Sequence, residues 1–269
     1  MRRQINKIET EEVKGAQLLD RSVALLKYLA EVGDEGARVH EMAKTFGLTM
    51  STTHRIVRAL ERHLLLERDP STRRYRLGVL LYTLGVKAVE STTLRRCCRP
   101  ALFRLAAKTG NSVSLVARSG FHSVCLDWQE GTDPIDSVAR HIWNQVPLGV
   151  GSASLAILAF LPPEEANGII SADAHLYHAF NGLSAEKIRH QLPGIRNLGY
   201  ALDQGHLVTG ISSLALPILP PGRDVVGALA IKATTAQMPR ERIPKLLRWM
   251  RREIHTIQQI VISARPKEQ

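Results

Sequence analysis

Residues 51–64 carry two opposed stripes on one short segment, and this pairing restricts the chain more than any other feature. Ile56, Val57, Leu60 and Leu64 recur at i, i+1, i+4 and i+8, the spacing of a buried helical face. His54, Arg55, Arg58 and Arg62 recur at the same spacing on the other side. A charged stripe alone usually means a solvated helix. Here an apolar helix is predicted just before it (residues 39–46), followed by a turn at Gly47 (47–49), and a basic hairpin comes after it (67–77). That order is the winged helix-turn-helix pattern, in which the second helix enters a DNA groove.

Thr49 or Ser51 is placed to cap the predicted helix over residues 51–63, because a short side-chain oxygen accepts an orphan backbone N–H there. Ser51, Thr52, Thr53 and His54 stand at the helix start, where phosphates and base edges are met. Arg55 and Arg58 are the expected base or phosphate readers, with Arg62 further along. In the hairpin, Asp69-Pro70-Ser71-Thr72 is a turn cluster, and Arg74-Tyr75-Arg76-Leu77 alternates with period two. Arg73 and Arg74 near its tip are expected to grip the phosphate backbone or reach a minor groove. Residues 49–76 hold seven arginines against three acids, a net charge of +4 that supplies salt-sensitive affinity rather than sequence choice.

The 269 residues leave room for about two domains. A net charge of +11 fits an anionic partner. The three cysteines (Cys97, Cys98, Cys125) are an odd count, and two are adjacent, which fits a reducing cytoplasm. Met1-Arg2-Arg3-Gln4 opens a polar stretch without a signal-peptide core. The uncharged run from Ile142 to Pro163 raises the membrane question, but its glycines, prolines and amides read as a loop plus one buried helix.

Along the chain, residues 1–17 read as a mobile tail and 20–32 as a first helix with Val23, Leu26, Leu29 and Ala30 inward. Residues 77–89 are too apolar for a free linker and predict a connecting helix that also makes a dimer contact. A helix over 95–109 follows, then strands at 111–117, 123–128 and 135–138. Helices are predicted at 152–161, 164–170 and 185–198, strands at 214–218 and 225–233, and a closing helix at 243–263. Paired strands with helices between and after them give an α+β fold on an antiparallel sheet.

Together these residues resemble the IclR family of bacterial transcriptional regulators. The resemblance rests on residues 43–55, Arg74-Tyr75-Arg76-Leu77-Gly78, Arg99-Pro100, Val146-Pro147-Leu148, Gly199-Tyr200-Ala201-Leu202-Asp203, Gly210 and Leu214-Ala215-Leu216-Pro217. It implies a winged helix-turn-helix domain (18–78), a linker and dimerisation helix (79–94), and a GAF-like α/β effector-binding domain (95–265). It also implies homodimers, paired as dimers of dimers on palindromic operators, and a small organic acid as effector. By alignment the effector site falls on Val146, Ser152, Ala153, Asp203, Ser213, Ala230 and Lys232.

The chain departs from the family pattern at several places. Met50 replaces a usual cation and Thr53 a usual aliphatic residue, while Gln204-Gly205-His206 replaces acids. Residues 154 and 155 are Ser and Leu where Gly and Lys are expected, and Lys232 takes the place of a small hydroxyl residue. Lys232 follows an apolar strand, so it must find an anion or reach out to solvent. The expectation is pairing with the effector carboxylate, or with Asp203 when the pocket is empty.

Other chemistries fare worse. Ser152, Asp203 and His206 lack a nucleophile elbow. Gly149-Val150-Gly151-Ser152 lacks the third glycine of a dinucleotide loop. Asp173, His175 and His178 have no further ligand cluster to complete a metal site. Cys125 reads as a small buried hydrophobe. The chain is therefore expected to use no cofactor and to catalyse nothing; a ligand-independent architectural DNA-binding protein is the other reading.

Overall fold

The computed structural model describes residues 16–90, 93–133 and 146–263. The expected tail (as far as residue 15) and the strand expected at 135–138 lie outside them. The chain divides into two units, Met1–Val89 and Glu90–Gln269.

The first unit packs α1 (Gln17–Val32), α2 (Val39–Phe46) and α3 (Met50–Arg62) around Leu25, Leu29, Met42, Ile56, Val57 and Leu60. In α1 the inward pair is Leu25 and Leu29; Val23 and Ala30, expected inside, are exposed. Gly47 ends α2 in the left-handed region (φ 62°), and Thr49 caps α3 by accepting the Thr52 N–H at 3.2 Å. A cap of this kind contributes about 1 kcal/mol.

Leu64, expected in the buried stripe, is 61% exposed with φ 57°. The helix has already ended at Arg62, because the chain must turn to begin the hairpin β1 (Leu66–Arg68) and β2 (Tyr75–Leu77). Leu66 takes the core position instead. The hairpin is registered Leu66 to Leu77 and Arg68 to Tyr75. At its tip the Asp69 carboxylate accepts the Ser71 N–H (2.8 Å), the Ser71 hydroxyl (2.6 Å) and the Thr72 N–H (3.0 Å). These bonds hold its pKa at about 2, the Ser71 hydroxyl contributing most.

The hairpin is also joined to α2. Ala37 and Tyr75 exchange backbone hydrogen bonds at 3.0 and 2.8 Å. Glu41 accepts the Arg38 N–H at 2.7 Å and the Arg74 guanidinium at 3.3 Å, while Arg74 also donates to the Gly36 carbonyl at 2.9 Å. The helix α4 (Val79–Glu90) follows, with Val79, Tyr82 and Leu84 exposed.

The second unit is built on a six-stranded antiparallel sheet of order β5-β4-β3-β8-β7-β6. Its strands are β3 (Ser112–Ser119), β4 (His122–Gln129), β5 (Val146–Pro147), β6 (Ala201–Gln204), β7 (Ile211–Ile218) and β8 (Gly227–Thr234). α5 (Thr93–Thr109) and α9 (Ile243–Ser263) cover one face, where Leu115, Leu214, Leu216, Leu229 and Ile231 are buried. α6 (Ser152–Ala159) lies on the other face, backed by α7 (Pro163–Ala172) and α8 (Ala185–Leu198). All eight residues of α6 are buried, which explains the uncharged run in the sequence. No helix among the described residues is long and apolar enough to cross a membrane. The short strands β5 and β6 were not expected.

Gly36 is constrained in two ways at once, by its backbone conformation and by the room left for a side chain. Its φ is +62°, and a Cβ there would lie 2.6 Å from the Tyr75 carbonyl oxygen. Gly36→Ala is expected to destabilise this unit by about 1–3 kcal/mol, read as a lower chemical-denaturation midpoint, whereas Gly33→Ala, which meets no atom within 4 Å but shares the positive φ, isolates the conformational part of that cost.

Candidate functional site

Each unit carries one candidate site. On α3, His54, Arg55, Arg58 and Arg62 are all exposed, and none of these arginines is ion-paired among the described residues. Ser51 is exposed beside them. Thr52 is half-buried and accepts a bond from the Thr49 hydroxyl at 2.9 Å, so both threonines serve the cap. Three free guanidiniums on one helix face form an electrostatic and hydrogen-bonding surface for phosphates and base edges.

Two of the expected contacts need correction. Thr53 has no exposed surface, and its hydroxyl donates to the Thr49 carbonyl at 3.0 Å. It is a core residue, as the resemblance to the family implied for this position. Arg74 points inward to Gly36 and Glu41, so it braces the hairpin rather than reaching for DNA. The exposed cations of the hairpin are Arg68, Arg73 and Arg76.

In the second unit, register sets out a polar row across the face that α6 covers. Asp203 on β6 pairs with Ser213 on β7, Ser213 with Lys232 on β8, and Lys232 with Ser112 on β3. The adjacent row is Ala201, Ala215, Ala230, Ser114 and Trp128. Side chains this small let α6 approach closely. Gly151 precedes the helix at φ 79°, where only glycine is comfortable, with Leu207 close by. The Ser152 hydroxyl donates to the Ser213 hydroxyl at 2.8 Å, and Ala153 lies in the same first turn. The loop before α6 is pinned, since Ser154 accepts the Gly149 N–H at 2.8 Å and Tyr177 donates to the Leu148 carbonyl at 2.8 Å. At the far end of the helix the Arg196 guanidinium donates to the Ala159 carbonyl.

Ser152, Ala153, Asp203, Ser213, Ala230 and Lys232 are thus brought to one face. Val146 packs against the same α6-side core, but from β5, where it pairs with Ser123 at the opposite edge of the sheet from β6. Asp203 is bonded to His206 at 2.8 Å, so the expected pairing of Asp203 with Lys232 gives way to that one. Lys232 points inward instead, with its ammonium 4.8 Å from the centre of the Trp128 ring. Burial pulls its pKa down, partly offset by Cys125 and Asp203. Ser152 is bonded to Ser213 and not to His206, so Ser152, His206 and Asp203 do not form a hydrogen-bonded relay. Among the described residues no cluster of three metal-ligating side chains occurs.

Three residues on this face escaped the sequence reading: Ser112, Ser114 and Trp128. The β3–β4 register shifts between Leu115 and Val116, so that Leu126 is an extra residue on β4. Asp127 then turns to α5, where Arg95 meets it at 3.2 Å, and Trp128 returns to the α6 side. Period-two alternation from Cys125 would have put Trp128 on the other face.

A cationic recognition helix with a wing, joined to an α/β unit with a curled antiparallel sheet, defines a helix-turn-helix DNA-binding regulator with a ligand-binding domain. The family models agree: residues 18–70 match the IclR helix-turn-helix domain, and residues 86–259 match the bacterial transcriptional regulator IclR C-terminal domain. The chain belongs to the IclR family of transcriptional regulators. It is 25% identical over 235 residues to the HTH-type transcriptional repressor AllR of Klebsiella pneumoniae, covering 87% of this chain and 86% of that one. It is 25% identical over 225 residues to the HTH-type transcriptional regulator XynR of Escherichia coli, covering 82% and 88%. Among solved structures it resembles an IclR family regulator from Brucella abortus (TM-score 0.77, 23% identity, 98% and 97% covered). It also resembles an IclR homolog from Microbacterium hydrocarbonoxydans complexed with 4-hydroxybenzoate (TM-score 0.73, 21% identity, 92% and 100% covered).

Lys232 costs stability at neutral pH. Its folded pKa lies below the usual 10.5, so the folded state holds its proton less tightly than the unfolded chain, and stability rises as pH climbs from the folded value towards 10.5. Lys232→Met is expected to raise the melting temperature of the ligand-free protein by a few degrees at pH 7, with the gain shrinking towards pH 10. A lower melting temperature for the variant at both pH values would contradict this account of the lysine.

Proposed function

We propose that this chain is a ligand-responsive transcriptional regulator whose hold on a palindromic operator is set by a small organic acid. The observation that carries the reading is Lys232, half-buried and turned inward over the Trp128 ring on the α6 face, in a chain whose α3 presents free arginines. A cation enclosed in that way calls for an anion, and a helix N-terminus favours the same charge. The acid would sit among Ser152, Ala153, Asp203, Ser213, Ala230 and Lys232. Arg55 and Arg58 would read base edges, His54, Ser51 and Arg62 would flank them, and Arg73 would hold the backbone from the wing. The relatives AllR and XynR are regulators, and one solved homolog holds 4-hydroxybenzoate; both support the reading without naming this chain's effector.

The working form is a cytoplasmic homodimer that pairs further on DNA. Val79, Tyr82 and Leu84 on α4, and Leu18 and Leu19 on α1, are exposed apolar side chains that a second copy would cover. Tyr82→Glu combined with Leu84→Glu is expected to halve the mass seen by light scattering and to weaken operator binding.

DNA fragments flanking the gene, titrated with and without a panel of carboxylates, test the whole reading. Retention of a specific fragment that a carboxylate weakens or strengthens supports it; DNA binding indifferent to every carboxylate would favour a purely architectural role. On that fragment Arg55→Ala is expected to lose about 1–3 kcal/mol of discrimination, whereas Arg73→Ala should weaken all DNA alike and lower the salt slope by about one. Competition binding at two salt concentrations separates these outcomes.

A further inference from the structure

The α6 side of β3 and β4 holds polar atoms that the fold leaves without partners. The hydroxyls of Ser112 and Ser114 belong to residues with no exposed surface, and neither has a hydrogen-bond partner among the described residues. The Trp128 indole Nε1 is buried and unpartnered in the same way. Register puts them together: Ser112 lies opposite Lys232, and Ser114 lies between Ala230 and Trp128. The Lys232 ammonium stands over the Trp128 ring. Native proteins rarely leave buried polar atoms unpaired, and such a cluster calls for a missing partner.

The chemistry of the missing partner follows from the set. An indole N–H and an ammonium only donate, and two hydroxyls donate or accept. The one carboxylate on this face that could answer them, Asp203, is occupied by His206. What four such groups on one face lack is an oxyanion.

We propose that Ser112, Ser114, Trp128 and Lys232 form an oxyanion subsite on the β3–β4 side of the sheet, which holds the carboxylate of the effector while its other end faces Ser152 and Ser213. This rests on reading the second unit as an effector-binding domain, and it deepens that reading by fixing where the acid group goes. Ser213 is the neighbour of Lys232 one strand away, so a second polar group lies about 5 Å from the carboxylate. A short hydroxy or oxo acid has that length. The bulge at Leu126 makes the subsite, because it is what turns Trp128 to this face.

The test uses the full chain labelled with 5-fluorotryptophan, the Trp128 resonance being assigned by its loss in Trp128→Phe. Acetate is titrated first, with acetamide as its neutral counterpart, and then glycolate. The expected result is a saturable shift of the Trp128 signal with acetate, no shift with acetamide, and glycolate binding about tenfold tighter than acetate. Lys232→Met should abolish the shift and Ser114→Ala should weaken acetate about threefold or more, while Ser213→Ala removes only the advantage of glycolate. A Trp128 signal that acetate leaves still up to about 100 mM, or that moves equally in Lys232→Met, would overturn the subsite. Retention of DNA by the same preparation keeps the two readings apart. A silent Trp128 with DNA binding intact defeats the subsite alone, whereas absence of DNA binding with a responsive Trp128 defeats the regulator and leaves the subsite standing.

Discussion

The close seating of α6 on the sheet is the contact on which the second unit depends. The helix is apolar on every side, and every side is occupied: the sheet beneath it, α7 and α8 above. Burying each Leu or Ile side chain contributes roughly 1.5–3 kcal/mol, so the helix is held by bulk packing and needs no polar anchor along its length. Anchors appear only at its ends. Gly149, Ser154 and Tyr177 hold the approach to its first turn, and Arg196 meets the carbonyls at its last, where the helix dipole favours a cation. The position of the first-turn amides above Ser213 follows from those two clamps. The alanines and serines of β3, β7 and β8 follow too, since larger side chains would lift the helix away.

Against that apolar layer the polar row is a cost. Lys232, Asp203, Ser112 and Ser114 are set where hydrophobic residues would pack and stabilise. Asp203 recovers a partner in His206, but the lysine recovers only an aromatic face, and the serines recover nothing within the fold. Stability given up at one face of an otherwise well-filled core is a common mark of a place kept for a ligand.

Much of this was legible beforehand. The 3.6-residue stripes fixed α3 and its cationic side, the Gly47 turn fixed α2 against α3, and α8 and α9 match the expected bounds residue for residue. The apolar run before Lys232 left two directions open, an anion inside or solvent outside, and the fold takes the inward one. What stayed hidden depended on events that periodicity does not carry. Leu64 continues the helical stripe in sequence, yet the chain turns left-handed there. Arg74 looks like its neighbours Arg73 and Arg76, and only the tertiary approach of Glu41 and Gly36 turns it inward. Trp128 changes face because of one inserted residue. Thr53 was expected at the DNA because of its hydroxyl and its place at the helix start, yet that hydroxyl bonds back to the Thr49 carbonyl and the side chain is buried.

The ties between Glu41, Arg74, Gly36 and Tyr75 have a consequence for how a signal can be expressed. They fasten the hairpin to α2 from both the backbone and the side chains, and α2 is packed on α3. The angle between wing and recognition helix is therefore set before any DNA arrives. A reading head built in this way behaves as a rigid stamp. Under the proposed regulation, its grip on an operator would change by its being carried to a different spacing or orientation, and not by its being reshaped.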